Sequence, residues 1–332
     1  AELSHFATCN TNVCDFGVML AWSYLFEKWL GQKERILIIC DDPWMSRHLA
    51  SLGAESMLDQ GGLWWPELIL RLRGYLARSF FAVKSAYASI RLRNLRLVPL
   101  RGAPVLLVYG HPASDSEGYD AYFGNLMKQL PEVQRMIHVD CGPRRALDLA
   151  KDGRSSSLHC WGNLLFVARL PFIISRWPVK IGGGKYRWLV QRANELESST
   201  AQAAAILWQK HCQKRWIASV PPKVIIWPWE NHAWERDLVR TAREAGISVF
   251  GYQHTVVGRR HWVHLPQTNF DGAKSLPEKI FCTGKIWRQA LLNYGHESDK
   301  LCVAGAHRFN VVSRVSRDRF APIFLALPFK HE

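Results

Sequence analysis

The stretch KVIIWPWENHAWERDLVRTAREAGISVFGYQH, residues 223–254, decides the fold. Val224–Trp227 is a short apolar run that predicts a strand, Ala233–Ala245 carries a helical pattern, and Ser248–Tyr252 is apolar again. A strand, a crossover helix and a second strand form the unit from which parallel sheets are built. Neither run alternates apolar with polar residues, as expected of strands covered on both faces.

The same rhythm extends outward. Further strand-like runs are Ile36–Cys40, Val105–Tyr109, Met136–Asp140, Lys279–Cys282, Leu301–Ala304 and Ile323–Leu327. Helical patterns cover Met45–Leu52, Tyr119–Leu130, Arg144–Lys151 and Ile286–Tyr294. The expected class is α/β, a Rossmann-like parallel sheet with crossover helices. Residues 1–320 read as one domain with helical insertions at about 64–101 and 161–216. The run after Ala321 reads as the first strand of another unit, and a lone strand is not a domain, so a second domain is expected to follow.

Composition narrows the class. The chain has 332 residues, 48% of them hydrophobic and 21% charged, enough apolar matter for a large core and too little charge for disorder. A net charge of +15 attracts polyanions: nucleic acid, anionic lipid or phosphorylated substrates. In the first insertion Trp64, Trp65, Phe80 and Phe81 sit among Arg71, Arg73, Arg78, Lys84, Arg91, Arg93 and Arg96. Charges recur too often there for a membrane span. The segment reads either as a helix lying on an anionic membrane surface or as one that buries its apolar face in the protein. Residues 161–177 are apolar and serve equally as core or as a docking surface. The eight cysteines show no zinc-ligand spacing, and Cys40, Cys282 and Cys302 lie in strand-like runs, where buried reduced thiols are expected. With Glu2 and Asp15 interrupting any leader-like run, a reducing, cytoplasmic setting follows, peripheral to the inner face of the cell membrane if the basic insertion docks there.

The chemistry-bearing residues gather at predicted strand ends, the edge where open α/β sheets bind ligands. After the first strand of the opening stretch come Trp229, Glu230, Asn231 and Trp234. A carboxylate among tryptophans is desolvated and its pKa raised towards the range of acid–base catalysis, which makes Glu230 the catalytic candidate. Asn231 or His232 is expected to cap the following helix, and Glu235 to complement its dipole. Gln253 and His254 close the next strand, and His254 is the second catalytic candidate. Thr283, Gly284 and Lys285 follow the strand ending at Cys282, and Gly305 and Arg308 follow the one ending at Ala304. Small residues at strand–helix turns admit a phosphate to backbone N–H groups. No Asp-x-Asp triplet or dinucleotide fingerprint occurs, so neither a metal nor a cofactor is implied.

The order Glu230-Asn231-x-x-Trp234-Glu235, then Gly251-Tyr252-Gln253-His254, then Thr283-Gly284, then Gly305-x-x-Arg308 resembles bacterial surface-carbohydrate glycosyltransferases of GT-B type, related to the Kdo and sialic-acid transferase group. Residues 120–126, Asp-Ala-Tyr-Phe-Gly-Asn-Leu, look like the same group's aromatic-Gly-x-Leu helix start. The resemblance covers about residues 118–327. It implies transfer of a sugar from a nucleotide sugar, bound by the following domain, to an O-antigen, capsule or lipid-linked glycan acceptor held by this one. Rival readings are a glycerol-phosphate polymer transferase of the same fold and a non-catalytic basic protein of membranes or nucleic acid. The basic residues are spread over helices without a nucleic-acid motif, which disfavours the last.

Overall fold

The computed structural model describes residues 14–32, 35, 37–55, 62–174, 184–258 and 261–308. Among them lies a sheet of seven strands, all parallel, with the order β3-β2-β1-β4-β5-β6-β7. The strands are β1 (Pro104–Val108), β2 (Gln134–Ile137), β3 (Ser155–Ser157), β4 (Val224–Pro228), β5 (Ser248–Gln253), β6 (Lys279–Cys282) and β7 (Leu301–Val303). The chain winds outward from β1 to β3, returns to lay β4 against the other side of β1, and winds outward again. The fold is therefore α/β and Rossmann-like, with its topological switch point between β1 and β4.

Strand alternation divides the core. Val105 and Leu107 of β1 join Ile225 and Trp227 of β4 in a large cluster on one face, while Leu106 and Val108 meet Phe123, Met127 and Tyr252 on the other. The large cluster is closed by α5 (Pro143–Leu149), α8 (Gln202–Ser219), α9 (Ala233–Glu244), α10 (Lys285–Asn293) and the end of α3 (Trp64–Arg91). On the other face α4 (Leu126–Gln129) is short. The amino-terminal helices α1 (Phe16–Gly31) and α2 (Pro43–Ser51) pack on α7 (Arg187–Ser198) rather than on the sheet. A one-turn α6 (Leu164–Val167) lies against α3.

Several expectations are corrected. Residues 37–40 form no strand; Leu37 and Ile39 are among the most exposed apolar residues, and Cys40 is exposed, not a buried thiol. An apolar run of this length carries no period that separates strand from coil, and the sheet offers it no neighbour. Tyr119–Leu130 is mostly a turn, because Asp120 is buried and its carboxylate accepts from the N–H groups of Tyr122 (2.9 Å) and Phe123 (3.3 Å), while its backbone pairs with Gly124. Side-chain capture of backbone donors competes with helix, and only the last turn becomes α4. Strand β3, three serines, carries no apolar signal; the polar tripeptide becomes a buried edge strand because each hydroxyl finds a partner, Ser155 accepting from Arg135 Nε at 2.7 Å, Ser156 donating to the Leu95 carbonyl at 2.7 Å and Ser157 accepting from the His159 N–H at 3.3 Å. The strand expected at Ile323–Leu327, and with it the second domain, lies outside the described residues.

Helix α3 is fastened to α7 through Gly74. A Cβ there would run into the backbone carbonyl of Ser198, the group to which Arg78 donates. In an open helix Gly→Ala stabilises by about 1 kcal/mol. Here the obstruction is backbone, and overpacking of that kind costs roughly 1–3 kcal/mol. Gly74→Ala should therefore destabilise the protein, measured as a lower denaturant midpoint at unchanged slope. A gain in stability would show that α3 is not held at this point.

Candidate functional site

At the carboxyl edge the β4–α9 turn is organised from below by a buried carboxylate. Glu235, the third residue of α9, reaches back outside its own helix. It accepts from Trp227 Nε1 (2.8 Å) and from the backbone N–H groups of Asn231 (3.0 Å) and Glu230 (3.2 Å). Asn231 takes the left-handed conformation (φ 61°), which asparagine tolerates better than most residues. Its amide is fully engaged, donating to the Val263 carbonyl and to Asn269 Oδ1, both at 2.7 Å. His232 stands at the N-cap without capping by its side chain, which turns back towards Glu230.

That turn lifts the Glu230 carboxylate into the crevice. Its Oε2 lies 2.7 Å from His232 Nε2 and its Oε1 lies 3.7 Å from His254 Nε2. Burial pushes the Glu230 acid up, but the His232 hydrogen bond and the charges of His232, His254 and His264 outweigh it and hold the group below its ordinary value. The expected rise is thus reversed: three imidazoles, rather than tryptophan faces, surround this carboxylate. Burial lowers His232 too, yet the Glu230 hydrogen bond and the charges of Glu235 and Glu230 leave it raised. His254 is lowered, chiefly by burial. The desolvated acid is instead Glu235, expected as a surface dipole partner and found fully buried, its pKa pushed up by desolvation to about 7.

Across the switch point, the end of β1 presents Tyr109 and the end of β2 presents His138. Tyr109 packs at a tilt on His138, ring centroids 4.7 Å apart; His138 lies 4.9 Å from the Trp234 ring and places Nδ1 3.1 Å from Asp140 Oδ1. Tyr122, carried by the Asp120 turn, meets His254 edge-on at 4.9 Å. His254 is also tied to the Tyr252 backbone, whereas His138 Nε2 is buried with no hydrogen-bond partner among the described residues. Buried polar atoms of this kind demand water or a ligand. Sequence reading missed Tyr109, Tyr122, His138 and His232. The first and third follow strands directly, and only the strand order reveals that β1 flanks β4, with β2 next beyond it.

The remaining candidates separate. Trp229 is buried beneath the edge, packed on Gly251, where a Cβ would come within 2.8 Å of it, and against His264 and His296. It presents no ring face to a ligand, whereas Trp234 lines the crevice by its edge. Gln253 is buried and spends its carbonyl on Thr283, from the backbone N–H (3.2 Å) and the hydroxyl (3.1 Å), tying β5 to β6. Gly284 is the N-cap of α10, with open space where a Cβ would be, and Lys285 is exposed beside it. Gly305 needs its left-handed backbone (φ 87°), and its carbonyl accepts from the Tyr252 hydroxyl at 3.0 Å. The loop carries Arg308 back over the edge: Tyr119 donates to the Arg308 carbonyl at 3.2 Å, and the Arg308 charge is felt by His254. So Glu230, His254, Trp234 and Arg308 converge, while Trp229, Asn231 and Gln253 support them from beneath.

An apolar cavity of about 510 Å³ lies elsewhere, among α1, α2 and residues 37–42. Its arginine, Arg192, is paired with Asp15 and Asp42; Asp41 and Cys40 also line it, but no histidine does, so the denser acid–base grouping assigns the site to the sheet edge. Among the described residues no group of three or more His, Cys, Asp or Glu is arranged to hold a metal ion. No family model matches this chain, and neither the curated proteins nor the solved structures contain a match to it.

Glu235 makes stability depend on pH in a definite direction. Its folded pKa of about 7 lies above the ordinary 4.5, so its contribution is full below pH 4.5 and declines as pH rises through 7. Glu235→Gln lacks this ionisation. The unfolding free energy of the wild type relative to the variant should fall by on the order of 2 kcal/mol between pH 5 and 8. Denaturant titrations at both pH values measure it, and a constant difference would mean that Glu235 titrates as an ordinary carboxylate.

Proposed function

We propose that the chain supplies the acceptor-side domain of a GT-B-type glycosyltransferase that moves a sugar from a nucleotide donor to a surface polysaccharide or lipid-linked glycan. The observation that carries the reading is the Glu230 carboxylate held between His232 and His254 at the switch-point edge, in a crevice that also holds the buried His138 Nε2. The motif order described for surface-carbohydrate glycosyltransferases runs through the same turn.

The chemistry assigns Glu230 as general base. Held below its ordinary pKa, it is ionised at neutral pH and ready to receive a proton. An acceptor hydroxyl placed against it loses its proton to Glu230 as its oxygen bonds the anomeric carbon. The bond from that carbon to the nucleotide's phosphate breaks, and the electron pair leaves with the phosphate. His254 orients the hydroxyl through Nε2, and Arg308 and Lys285 offset the charge growing on the departing phosphate without a metal. Tyr109 and Tyr122, with the edge of Trp234, form the apolar wall against which a sugar ring packs.

Two measurements test this. Calorimetric titration with CMP-, UDP- and GDP-sugars, on the protein with whatever donor domain accompanies it, should identify a bound donor. Transfer to a glycan acceptor should then fall by about a hundredfold or more in Glu230→Gln, the scale of a lost general base, with the melting temperature nearly unchanged. Full activity in that variant would assign the wrong carboxylate. Absence of any nucleotide-sugar binding or turnover would overturn the reading as a whole.

A further inference from the structure

Helix α3 is built inside out. The side it turns to the protein carries small residues and one arginine: Gly74, Arg78, Ala82, Ser85 and Ala88 are all buried. The opposite side carries its large apolar residues. Ile69, Leu72, Leu76, Phe80, Val83 and Tyr87 recur every three or four positions and are exposed, from 48% at Ile69 to 73% at Phe80. With Trp65 and Ile90 at its ends, this stripe runs about 38 Å at 1.5 Å per residue. The usual amphipathic helix of a soluble domain does the reverse. Phe172, also exposed, lies 5.9 Å from the Tyr75 ring and widens the patch at its edge. Apolar surface this continuous marks an interaction site.

We propose that this stripe docks on an anionic lipid surface, the helix lying in the interface plane. Charge chooses the occupant. At about 100° per residue, Arg73, Lys84 and Arg91 all fall on one flank of the stripe, and each is exposed. No Asp or Glu occurs from residue 68 to residue 114, and Glu67 is paired with Arg71 at 2.9 Å. A second copy of this chain would therefore bring basic flank against basic flank without an acid to pair them. Lipid phosphates supply the missing charge, and the long stems of Arg73, Lys84 and Arg91 let their heads reach the headgroups while the stripe enters the acyl boundary. No helix among the described residues is long and apolar enough to cross a membrane, in keeping with a helix that lies on the bilayer. Between the basic flank of α3 and the sheet, Phe81 and Lys84 line a cavity of about 200 Å³ with Asp140. The inference does not depend on sugar transfer.

Sedimentation with vesicles tests it. The protein should pellet with mixed phosphatidylglycerol–phosphatidylcholine vesicles at low salt, weakly with phosphatidylcholine alone, and less as salt screens the charges. The combined variant Arg73→Gln, Lys84→Gln, Arg91→Gln should weaken partitioning on the order of a hundredfold, the summed scale of three basic side chains at an anionic surface. Leu76→Glu with Val83→Glu should abolish it; both side chains point outward, so circular dichroism should be unchanged. If that pair fails to fold, Leu72→Ser with Phe80→Ser replaces it, with the same loss expected. Equal binding to neutral vesicles, or retained binding in the stripe variants, overturns the proposal. So does a lipid-free dimer that the stripe variants dissolve, or tighter binding to duplex DNA than to anionic vesicles.

Discussion

The candidate site depends on one carboxylate that no ligand touches. Glu235 is buried under the β4–α9 turn and gathers the Trp227 indole and the N–H groups of Glu230 and Asn231. Each of those donors is buried or half-buried and would be costly to leave unpaired. Their convergence on one side chain folds the turn, forces Asn231 into its left-handed conformation and aims Glu230 upward. A carboxylate so placed is expensive to ionise, and its pKa rises to about 7 accordingly. Arg236 locks the turn from the side: its Nε donates to the Asn231 carbonyl at 3.1 Å and its guanidinium to Thr268 Oγ1 at 2.9 Å.

The opposite wall of the crevice is secured by a second buried charge. Arg135 of β2 is fully buried and pairs with Asp152 at 2.8 Å and with Asp120 at 3.7 Å, while also donating to the Asp115 carbonyl. Removing one member of such a group strands the others, a large penalty. The network fixes the Asp120 turn, and that turn holds Tyr122 against His254. Two buried ionic groups, one per wall, thus position a crevice whose own residues are mutually adjustable imidazoles and aromatics. Burial lowers His254 while the Glu230 partnership raises His232, so neighbouring imidazoles of one site are pushed in opposite directions.

The outer layer obeys another constraint. Gly74 lets α3 approach α7 until backbone nearly meets backbone, so only small side chains fit between them. The large ones are displaced to the far side. The 64–101 insertion left two readings open, burial of its apolar face or presentation to a surface. Among the described residues the stripe is exposed, and the contact with α7 leaves no room for it beneath the helix.

What the sequence determined by itself was whatever depends on local pattern. Continuous apolar runs alternating with helical ones required a parallel α/β sheet, and strands β1, β4, β5 and β6 lie where those runs are. The chemistry-bearing residues at their ends, Glu230 and His254 above all, were legible because a parallel sheet must present its ligand edge at the carboxyl ends. Tertiary structure decided what depends on neighbours distant in the chain. Residues 37–40 are as apolar as β1, yet no strand accepts them; the serines of β3 become a strand because Arg135, the Leu95 carbonyl and the His159 N–H each satisfy one of them. Glu230 and Glu235 are five residues apart in one turn, and no local rule told the surface acid from the buried one. Their environments come from Trp227, His254 and His264, brought in by separate strands and loops. A pKa reports burial and charge summed over all of space, and that sum exists only once the chain has folded.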